Sequence, residues 1–379
     1  MSARKRLLVF IVNEARVFLS HRLPVALAAQ EEGFRIVVLA PQSESAEKLS
    51  AYGFEHIPIH LTRRGINPFR EARDFLAIYN LLRRLKPDLL YLVALKTVLY
   101  GGLAARFCRV RAVVSMITGL GFLFIDPKWY VRWTRFFLRP AFRIALGHPN
   151  QAVIFQNPDD LRLFIERGFV RREKAVLILG SGVDVRKFAS SAEASGPKIV
   201  LLACRMLRDK GVAEFVDAAR QVKDSVSEAR FVLVGDPDPG NPCAVKEAEI
   251  RRWQEEGYVE WWGHRSDMEA VWPQAHIACL PSYREGLPKS LIEAASCARP
   301  IVTTDAPGCR EIVRHGVNGL LVPVRDAKAL AAAILTLLRD SSLRAEYGRR
   351  GREMAESRFS QEKVVEATIA VCRRLCPEA

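Results

Sequence analysis

Two glutamates near residue 290 have the setting expected of a site that binds hydroxyl groups and an anion. Glu285 precedes Gly286, and Glu293 follows Glu285 after seven intervening residues, within the stretch PSYREGLPKSLIEAASCARPIVTTDAPGCREIVRHGVNG at 281–319. The apolar run after Pro288 predicts a helix, whose first backbone amides are unpaired and attract anions. Gly286 lets the backbone approach a bulky ligand closely. Carboxylates for a sugar and a ribose, beside amides for phosphates, predict a nucleotide-sugar site.

Two basic residues follow the first predicted strand of the C-terminal half. The run CRMLRDKG at 204–211 places Arg205 and Lys210 beyond the strand Ile199–Cys204. Ligands of open α/β sheets bind beyond the carboxyl ends of strands. A guanidinium and an ammonium there can neutralise a leaving diphosphate. The alternative is an ordinary solvated basic turn.

The stretch 281–319 closely resembles the signature of family 4 glycosyltransferases, retaining enzymes with the GT-B fold, and the resemblance covers nearly the whole chain. It implies that Glu285 contacts a donor-sugar hydroxyl and stabilises an oxocarbenium-like transition state. It also implies that Arg205 and Lys210 clamp the diphosphate and that Glu293 accepts both ribose hydroxyls. The backbone amides implied in donor binding are those of Gly286, Leu287, Ser290 and Leu291.

The loop after the predicted strand Ala112–Ile117 indicates which branch of the family the chain resembles. Many family members have a histidine at this strand end, where this chain has Thr118 followed by Gly119. A threonine hydroxyl can hydrogen-bond but cannot act as a base near neutral pH. The sequence TGLGFLF at 118–124 resembles a bacterial branch that acts on undecaprenyl-diphosphate-linked sugars, including N-acetylgalactosaminyltransferases that extend lipid-linked bacillosamine. The resemblance implies a UDP-N-acetylhexosamine donor and a polyprenyl-diphosphate-linked acceptor.

Residues 13–22, NEARVFLSHR, connect the first predicted strand to a helix predicted over His21–Glu32. Family members place an acceptor-facing loop here, often with glycines that this chain lacks. We expect Phe18, Ser20, His21 and Arg22 to face the cleft, with Ser20 and His21 on the acceptor side. His21 could be a catalytic base, or it could open the helix with Ser20 as its N-cap. A retaining front-face reaction can use the leaving phosphate as its base, so it requires no histidine.

The sequence Asp236-Pro237-Asp238 resembles the DxD motif that holds a metal–nucleotide in other glycosyltransferases. It follows a strand at which GT-B members have an ordinary turn, and Pro237 and Pro239 stiffen the loop. The eight cysteines form no CxxC pair and no zinc-ligand spacing. We therefore expect no metal ion and no cofactor, since the UDP-sugar is a substrate.

The positive charge of the chain lies in its N-terminal half. Residues 1–180 contain 28 Lys and Arg against 14 Asp and Glu, whereas residues 181–379 contain 29 against 28. Such asymmetry indicates a polyanionic partner. An anionic membrane surface is favoured over nucleic acid because no zinc-finger, RRM-like or KH-like motif is present.

Residues 128–143 combine basic and aromatic residues at helical spacing, which suits a helix lying at a membrane interface. The residues predicted to dock are Arg132, Arg135, Arg139, Arg143, Trp129 and Trp133. The alternative is a core helix with a charged outer face. No apolar run is long enough to span a bilayer. We expect a cytoplasmic protein that is peripheral on the inner face of the cytoplasmic membrane.

Strands alternate with helices in both halves, which predicts an α/β fold with parallel, doubly wound sheets. The length of 379 residues favours two domains. With the resemblance, this predicts two Rossmann-like domains facing a cleft, and a C-terminal helix that crosses back to the N-terminal domain. The predicted domains are 1–183 and 199–357, with a linker at 184–198 and the crossing helix at about 358–379. The predicted elements include the strand Arg35–Ala40, the helix Pro68–Leu85 and an unbroken helical segment over 343–375. After the strand Pro300–Thr304, the sequence predicts a turn, a helix and a second turn.

Two other functions are left open by the sequence. A UDP-sugar 2-epimerase shares the GT-B fold, but its chemistry needs acid/base carboxylates and cleft histidines, and it releases no sugar. A non-catalytic scaffold could recruit polysaccharide assembly to a membrane, although the charged residues of the predicted donor site argue against it. Product analysis separates transfer from epimerisation.

Overall fold

The computed structural model describes residues 5–61, 67–120 and 139–377. The chain divides into two units, one formed by Met1–Ser181 with Glu362–Ala379 and the other by Gly182–Gln361. None of the described helices combines the length and the apolar character that crossing a membrane requires.

The first unit is built on a parallel sheet whose strands are continuous apolar runs. Its strands are β1 (Leu7–Ile11), β2 (Arg35–Ala40), β3 (Glu55–Pro58), β4 (Leu89–Val93), β5 (Ala112–Ile117), β6 (Gln151–Phe155) and β7 (Ala175–Leu177). They lie in the order β3-β2-β1-β4-β5-β6-β7, and all neighbours are parallel. Along β1, Leu8 and Phe10 contact one core cluster, whereas Val9 and Ile11 contact another. Both faces of the sheet are therefore covered, as parallel sheets require.

The helices of this unit connect successive strands. Their bounds are Ala15–His21, Leu23–Glu31, Glu44–Glu47, Pro68–Leu85, Leu95–Cys108 and Pro158–Glu166. Residues 139–145 are also helical.

The prediction of a single helix over His21–Glu32 is wrong, because the chain forms two helices here, Ala15–His21 and Leu23–Glu31. Two helices meet at Arg22, whose backbone leaves helical geometry, and Pro24 stands in the first turn of the second helix. Proline favours that turn because it has no N–H to donate. Ser20 therefore lies inside the first helix, where its hydroxyl donates to the Arg16 carbonyl oxygen at 3.0 Å. The N-cap role considered for Ser20 is also wrong.

The last helix, Gln361–Leu375, belongs to the first unit, where Val364, Ile369 and Cys372 join one of its core clusters. The sequence predicted one helix over 343–375. Instead, Phe359 and Ser360 separate it from Ser341–Arg358. The cause is a distant backbone pairing, since the Val183 N–H donates to the Phe359 carbonyl oxygen at 2.9 Å and the Gln361 N–H donates to the Val183 carbonyl oxygen at 2.9 Å.

The second unit repeats the architecture. Its strands are β8 (Ile199–Ala203), β9 (Arg230–Val234), β10 (Glu260–Trp261), β11 (Ile277–Leu280), β12 (Ile301–Thr304) and β13 (Gly319–Val322). They lie in the order β10-β9-β8-β11-β12-β13, again all parallel. The helices of this unit are Val212–Lys223, Glu247–Glu255, Met268–Val271, Lys289–Ser296, Ala327–Arg339 and Ser341–Arg358.

The region between β12 and β13 differs from the prediction of a turn, a helix and a second turn. Residues 306–312 form turns rather than a helix, and β13 was not predicted. The buried Asn318 side chain accounts for this local structure. It accepts from the Arg314 N–H at 2.7 Å and donates to the Ile312 carbonyl oxygen at 2.9 Å, so it replaces the helical backbone partners of these two groups and stops a helix from continuing past residue 313.

The segment predicted as a linker, 184–198, packs on the second unit. Arg299, which is buried, donates to the Ser191 carbonyl oxygen at 2.5 Å. The Ser296 hydroxyl donates to the Phe188 carbonyl oxygen at 2.7 Å. Glu193 accepts from Arg344 at 2.8 and 2.7 Å. These bonds hold the segment on the helices of its own unit.

Candidate active site

The predicted donor residues follow two neighbouring strands, β8 and β11, at the centre of the second sheet. The chain proceeds from β8 outward to β9 on one side and from β11 outward to β12 on the other, so the strand order reverses between them. Ligands of open α/β sheets bind beyond the carboxyl ends of the strands at such a switch point. Lys210 lies beyond β8 and Glu285 beyond β11.

Lys210 and Glu285 form a largely buried ion pair. The Lys210 Nζ lies 2.6 Å from the Glu285 Oε1, and the side chains are 15% and 12% exposed. Burial alone would lower the pKa of the Lys210 ammonium. The charge and hydrogen bond of Glu285, with Asp209 nearby, outweigh burial, so the pKa of Lys210 is raised. Lys210 therefore stays charged, and its three N–H groups can hold a phosphate as well as Glu285.

Two glycines allow close packing against the loop 281–285, which carries Glu285. At Gly308 the φ angle is +82°, and a Cβ would lie 2.6 Å from the Glu285 carbonyl oxygen. At Gly211 φ is +74°, and a Cβ would lie 2.1 Å from the Pro281 carbonyl oxygen. Glycine alone suits both the conformation and the space. The Glu285 N–H also donates to the Pro307 carbonyl oxygen at 3.0 Å.

Tyr283 anchors the same loop to neighbouring elements. Its N–H donates to the Asp209 carbonyl oxygen at 2.9 Å, and its hydroxyl donates to the Glu214 Oε1 at 2.5 Å. Burial and the Glu214 hydrogen bond raise the pKa of Tyr283 to about 12, so the phenol stays a donor. The Arg325 guanidinium lies 4.6 Å from the ring centroid. The loop that carries Glu285 is thus held from two sides.

Glu293 lies on the helix Lys289–Ser296 and is only 8% exposed. Burial raises the pKa of its carboxyl group, although Lys289 and Trp272 partly offset this. The Lys289 Nζ lies 3.7 Å from one carboxylate oxygen, and the Trp272 indole N–H donates to the other at 3.5 Å. A carboxylate desolvated in this way is a strong acceptor for hydroxyl groups.

The predicted amide donors stand at the start of this helix. No side chain caps the helix, whose N-cap residue is Pro288. Gly286 and Leu287 are buried and Ser290 is half-buried. The Leu291 N–H already donates to the Pro288 carbonyl oxygen at 3.1 Å, so the first turn of the helix engages this predicted donor.

Arg205 is held by Asp238. Its Nη1 lies 3.0 Å from the Asp238 Oδ2, and the side chains are 45% and 16% exposed. One oxygen of the DxD-like sequence is therefore engaged by an arginine. Among the residues that the structure describes, no group of three or more His, Cys, Asp and Glu side chains could hold a metal ion.

The acceptor-side candidates lie in the first unit. Thr118 follows β5, and Gly119 has φ +148°. The Ser20 hydroxyl oxygen lies 2.6 Å from the His21 Nδ1. The structure thus pairs Ser20 with His21. Thr118 and Gly119 follow β5, which β4 separates from β1 in the sheet. The prediction that Phe18 and Arg22 face the cleft is wrong, because both side chains are buried and Phe18 belongs to a core cluster.

The predicted membrane face is described only in part, because Trp129, Arg132, Trp133 and Arg135 lie outside the described residues. Arg139 donates to the Arg167 carbonyl oxygen at 3.1 Å, and Arg143 donates to the Gly168 carbonyl oxygen at 2.9 Å. These carbonyls follow the helix Pro158–Glu166, so both arginines help to cap its C-terminal end. Both side chains remain exposed.

Several partners at the site were not predicted. Lys289 could have been found, because it stands four residues before Glu293 on one helix. Asp238 and Trp272 are 33 and 21 residues from the side chains they contact, Arg205 and Glu293. No local pattern indicates such contacts.

Comparisons with known proteins place both units in one family. The model described as "Glycosyl transferase 4-like" matches residues 8–157, and the model described as "Glycosyl transferases group 1" matches residues 197–340. The chain is 30% identical over 348 residues to the N,N'-diacetylbacillosaminyl-diphospho-undecaprenol alpha-1,3-N-acetylgalactosaminyltransferase of Campylobacter jejuni, covering 86% of this chain and 90% of that protein. It is 23% identical over 296 residues to the UDP-Gal:alpha-D-GlcNAc-diphosphoundecaprenol alpha-1,3-galactosyltransferase of Escherichia coli, covering 74% of each.

Solved structures show the same fold. The HepE protein of Anabaena, in complex with UDP and glucose, superposes with a TM-score of 0.78 at 21% identity, over 97% of this chain and 99% of that one. The sucrose-phosphate synthase of Thermosynechococcus elongatus gives a TM-score of 0.78 at 19% identity, over 98% and 99%. The chain therefore has the GT-B fold and belongs to the glycosyltransferase family 4.

Proposed function

We propose that the protein is a retaining glycosyltransferase that moves an N-acetylhexosamine from a UDP-sugar to a polyprenyl-diphosphate-linked saccharide, in the assembly of a surface or glycoprotein glycan. The observation that carries this proposal is the buried Lys210–Glu285 pair at the switch point of the second sheet. The substrate classes are suggested by two relatives, whose names specify diphospho-undecaprenol acceptors and, in one case, a UDP-galactose donor.

In the proposed donor complex, charge and hydrogen-bond acceptors are matched to a UDP-sugar. Glu293 accepts hydrogen bonds from the ribose hydroxyls. Lys210 and Arg205 contact the diphosphate, and each has N–H donors beyond those used by Glu285 and Asp238. Arg205 is nearly half-exposed, so a phosphate can reach it while Asp238 orients it.

In the proposed transfer step, an acceptor hydroxyl attacks the anomeric carbon from the face that UDP leaves. The new bond joins the acceptor oxygen to C1, and the bond between C1 and the β-phosphate oxygen breaks. The acceptor proton passes to a leaving-phosphate oxygen, and UDP departs with the bonding electron pair. Glu285 holds a sugar hydroxyl and stabilises the positive charge that develops on the ring.

The proposed reaction requires no metal ion. Arg205 and Lys210 supply positive charge at the diphosphate, where other glycosyltransferases use a metal held by DxD. The Arg205–Asp238 contact supports this proposal because it engages a carboxylate that a metal would need. We expect transfer to continue in EDTA, and complete loss that magnesium restores would contradict this part of the proposal.

We also propose that the protein works at the cytoplasmic face of the membrane, where a polyprenyl-linked acceptor resides. The excess of Lys and Arg in residues 1–180 supports this location. The residues 128–143 predicted to dock would contribute there, with Arg132 and Arg135 as the arginines to test.

The experiment that tests the function is a UDP-release screen over several UDP-sugars, with and without a polyprenyl-diphosphate-linked acceptor. We expect release only with acceptor, fastest with a UDP-N-acetylhexosamine, and an α-linked product from an α-linked donor. Formation of the 2-epimer of the UDP-sugar, without UDP release, would favour the epimerase instead. A β-linked product would contradict the retaining mechanism.

A further inference from the structure

The outer face of the helix Pro68–Leu85 combines apolar side chains with arginines. Phe69 is 87% exposed and Leu76 is 53% exposed. They stand seven residues apart, which places them on the same side of the helix. Arg70 and Arg73 lie between them and are also exposed.

The two carboxylates of this helix are turned away from that face. Glu71 lies 2.9 Å from the Lys96 Nζ and accepts a hydrogen bond from the Tyr100 hydroxyl. The Asp74 side chain is fully buried, and its Oδ1 lies 3.7 Å from the Arg73 Nη2. The exposed face of this helix therefore presents two arginines, and the charge of Arg73 is partly balanced from below by Asp74.

The neighbouring helix Leu95–Cys108 adds exposed apolar surface to this unit. Its last residue contacts the helix Pro68–Leu85, because the Cys108 thiol donates to the Tyr79 carbonyl oxygen at 3.6 Å. Phe107, next to Cys108, is 64% exposed. Both helices bury their opposite sides in one core cluster, so the exposed residues are not needed for that core.

We propose that the docking face, defined as Phe69, Arg70, Arg73 and Leu76, binds an anionic lipid surface. The two apolar side chains would enter the headgroup region, and the arginines would pair with lipid phosphates. Charge complementarity favours lipid over another occupant, because this half of the chain has twice as many Lys and Arg as Asp and Glu. The proposal deepens the proposed function and rests on it for its biological purpose. The docking face lies in a different segment of the chain from residues 128–143.

The test is co-sedimentation of the full-length protein with vesicles, without donor or acceptor. We expect binding to phosphatidylglycerol vesicles, weak binding to phosphatidylcholine vesicles, and release as salt rises. The double variant Arg70→Ala/Arg73→Ala should weaken binding to the anionic vesicles roughly thirtyfold, which corresponds to about 1 kcal/mol for each arginine. Phe69→Ser should weaken binding to both kinds of vesicle.

A charge-matched control is Arg349→Ala/Arg350→Ala, because these arginines are exposed on a helix of the second unit. This control should bind like the wild type, and far-UV circular dichroism should show equal folding of all variants. Wild-type binding by the double variant Arg70→Ala/Arg73→Ala, or an equal loss in the control, would overturn the proposal. Salt-independent wild-type binding would overturn it without any variant. Self-association abolished by Phe69→Ser, with vesicle binding unchanged, would show a protein partner instead.

These outcomes are separate from the proposed enzyme activity. UDP release with a short-chain, water-soluble diphosphate acceptor should be unchanged in Arg70→Ala/Arg73→Ala. Loss of vesicle binding with intact sugar transfer would contradict only the proposal that the docking face binds lipid. Vesicle binding without sugar transfer from any UDP-sugar would contradict only the proposed function.

Discussion

At the scale of single residues, the site depends on charges that are paired under the protein surface. Removing one partner of a buried ion pair leaves an uncompensated charge, which costs more than replacing both partners. The Lys210–Glu285 pair is the place where this cost can be measured, whereas the Glu293 carboxylate tests the cost of burying a charge.

Lys210→Met should destabilise the protein by about 3–5 kcal/mol because it leaves the Glu285 carboxylate buried without its ammonium. The double variant Lys210→Met/Glu285→Gln should recover most of that loss. Urea unfolding of the wild type, both single variants and the double variant measures the coupling. Additive effects of the two substitutions would show that the pair contributes no coupling energy.

Glu293→Gln should raise the free energy of unfolding at pH 7 and have little effect below about pH 4. Burial raises the pKa of Glu293 in the folded protein above its usual value of 4.5. A raised carboxyl pKa gives stability that is present below the unfolded-state pKa and is lost as pH rises through the folded-state pKa. At neutral pH the cost of ionising Glu293 in its buried position therefore works against folding, and glutamine removes that cost.

The control for this effect is Glu228→Gln, since Glu228 is exposed. Its urea unfolding curve should follow that of the wild type at every pH. A Glu293→Gln variant that is less stable than the wild type at pH 7 would contradict the account. The same variant should lose donor affinity, so stability and function oppose each other at this position.

At the scale of elements, continuous apolar runs predicted most strands closely, because both faces of each sheet are buried. The bounds of β2, β5 and Pro68–Leu85 are those predicted. The prediction failed where a distant contact decides the local structure, as at Phe359, whose carbonyl oxygen pairs with Val183. It also failed at Asn318, whose side chain replaces backbone hydrogen bonds.

The candidate site was likewise predictable where its residues form a local pattern, and not where distant residues meet. The spacing of Glu285 and Glu293 and the Arg205–Lys210 run are local patterns that a sequence displays. The contact between Arg205 and Asp238 is not visible in any local pattern, because it forms only when the loops after two adjacent strands come together.

Gly308→Ala should lower kcat/KM by about a hundredfold, because misplacing a catalytic group by about 1 Å can have an effect of that size. Its Cβ would lie 2.6 Å from the Glu285 carbonyl oxygen, so that backbone must shift. The matched control is Gly257→Ala, where φ is +78° and a Cβ would meet nothing within 4 Å. Both variants carry a left-handed alanine, which costs roughly 1–2 kcal/mol. Equal loss of activity in both would contradict the packing argument.

At the scale of the whole molecule, the helix Gln361–Leu375 makes the first unit dependent on two segments that are far apart in the sequence. Residues Glu362–Ala379 belong to the unit formed by Met1–Ser181. Arg373 pairs with Glu32, and the Arg6 guanidinium donates to the Cys376 carbonyl oxygen at 3.0 Å. The core of this unit is complete only once the helix Gln361–Leu375 has been synthesised.

Ile369→Ala should destabilise the first unit by about 2–5 kcal/mol, because it removes a buried side chain from the core cluster and leaves a cavity. Glu366→Ala on the exposed side of the same helix is the control. Differential scanning calorimetry should show a lower transition temperature for Ile369→Ala only. Equal melting of the two variants would contradict the packing of this helix in the core.

The central claim is that the protein transfers a sugar from UDP to a polyprenyl-diphosphate-linked acceptor, and that Glu285 stabilises the transition state of this transfer. The measurement that tests it most directly is acceptor-dependent UDP release by the wild type and by Glu285→Gln, with equal folding checked by circular dichroism. We predict that glutamine lowers kcat by about a hundredfold to a thousandfold, the effect of removing one group that stabilises transition-state charge. Release that depends on acceptor and is unchanged in Glu285→Gln would contradict the account.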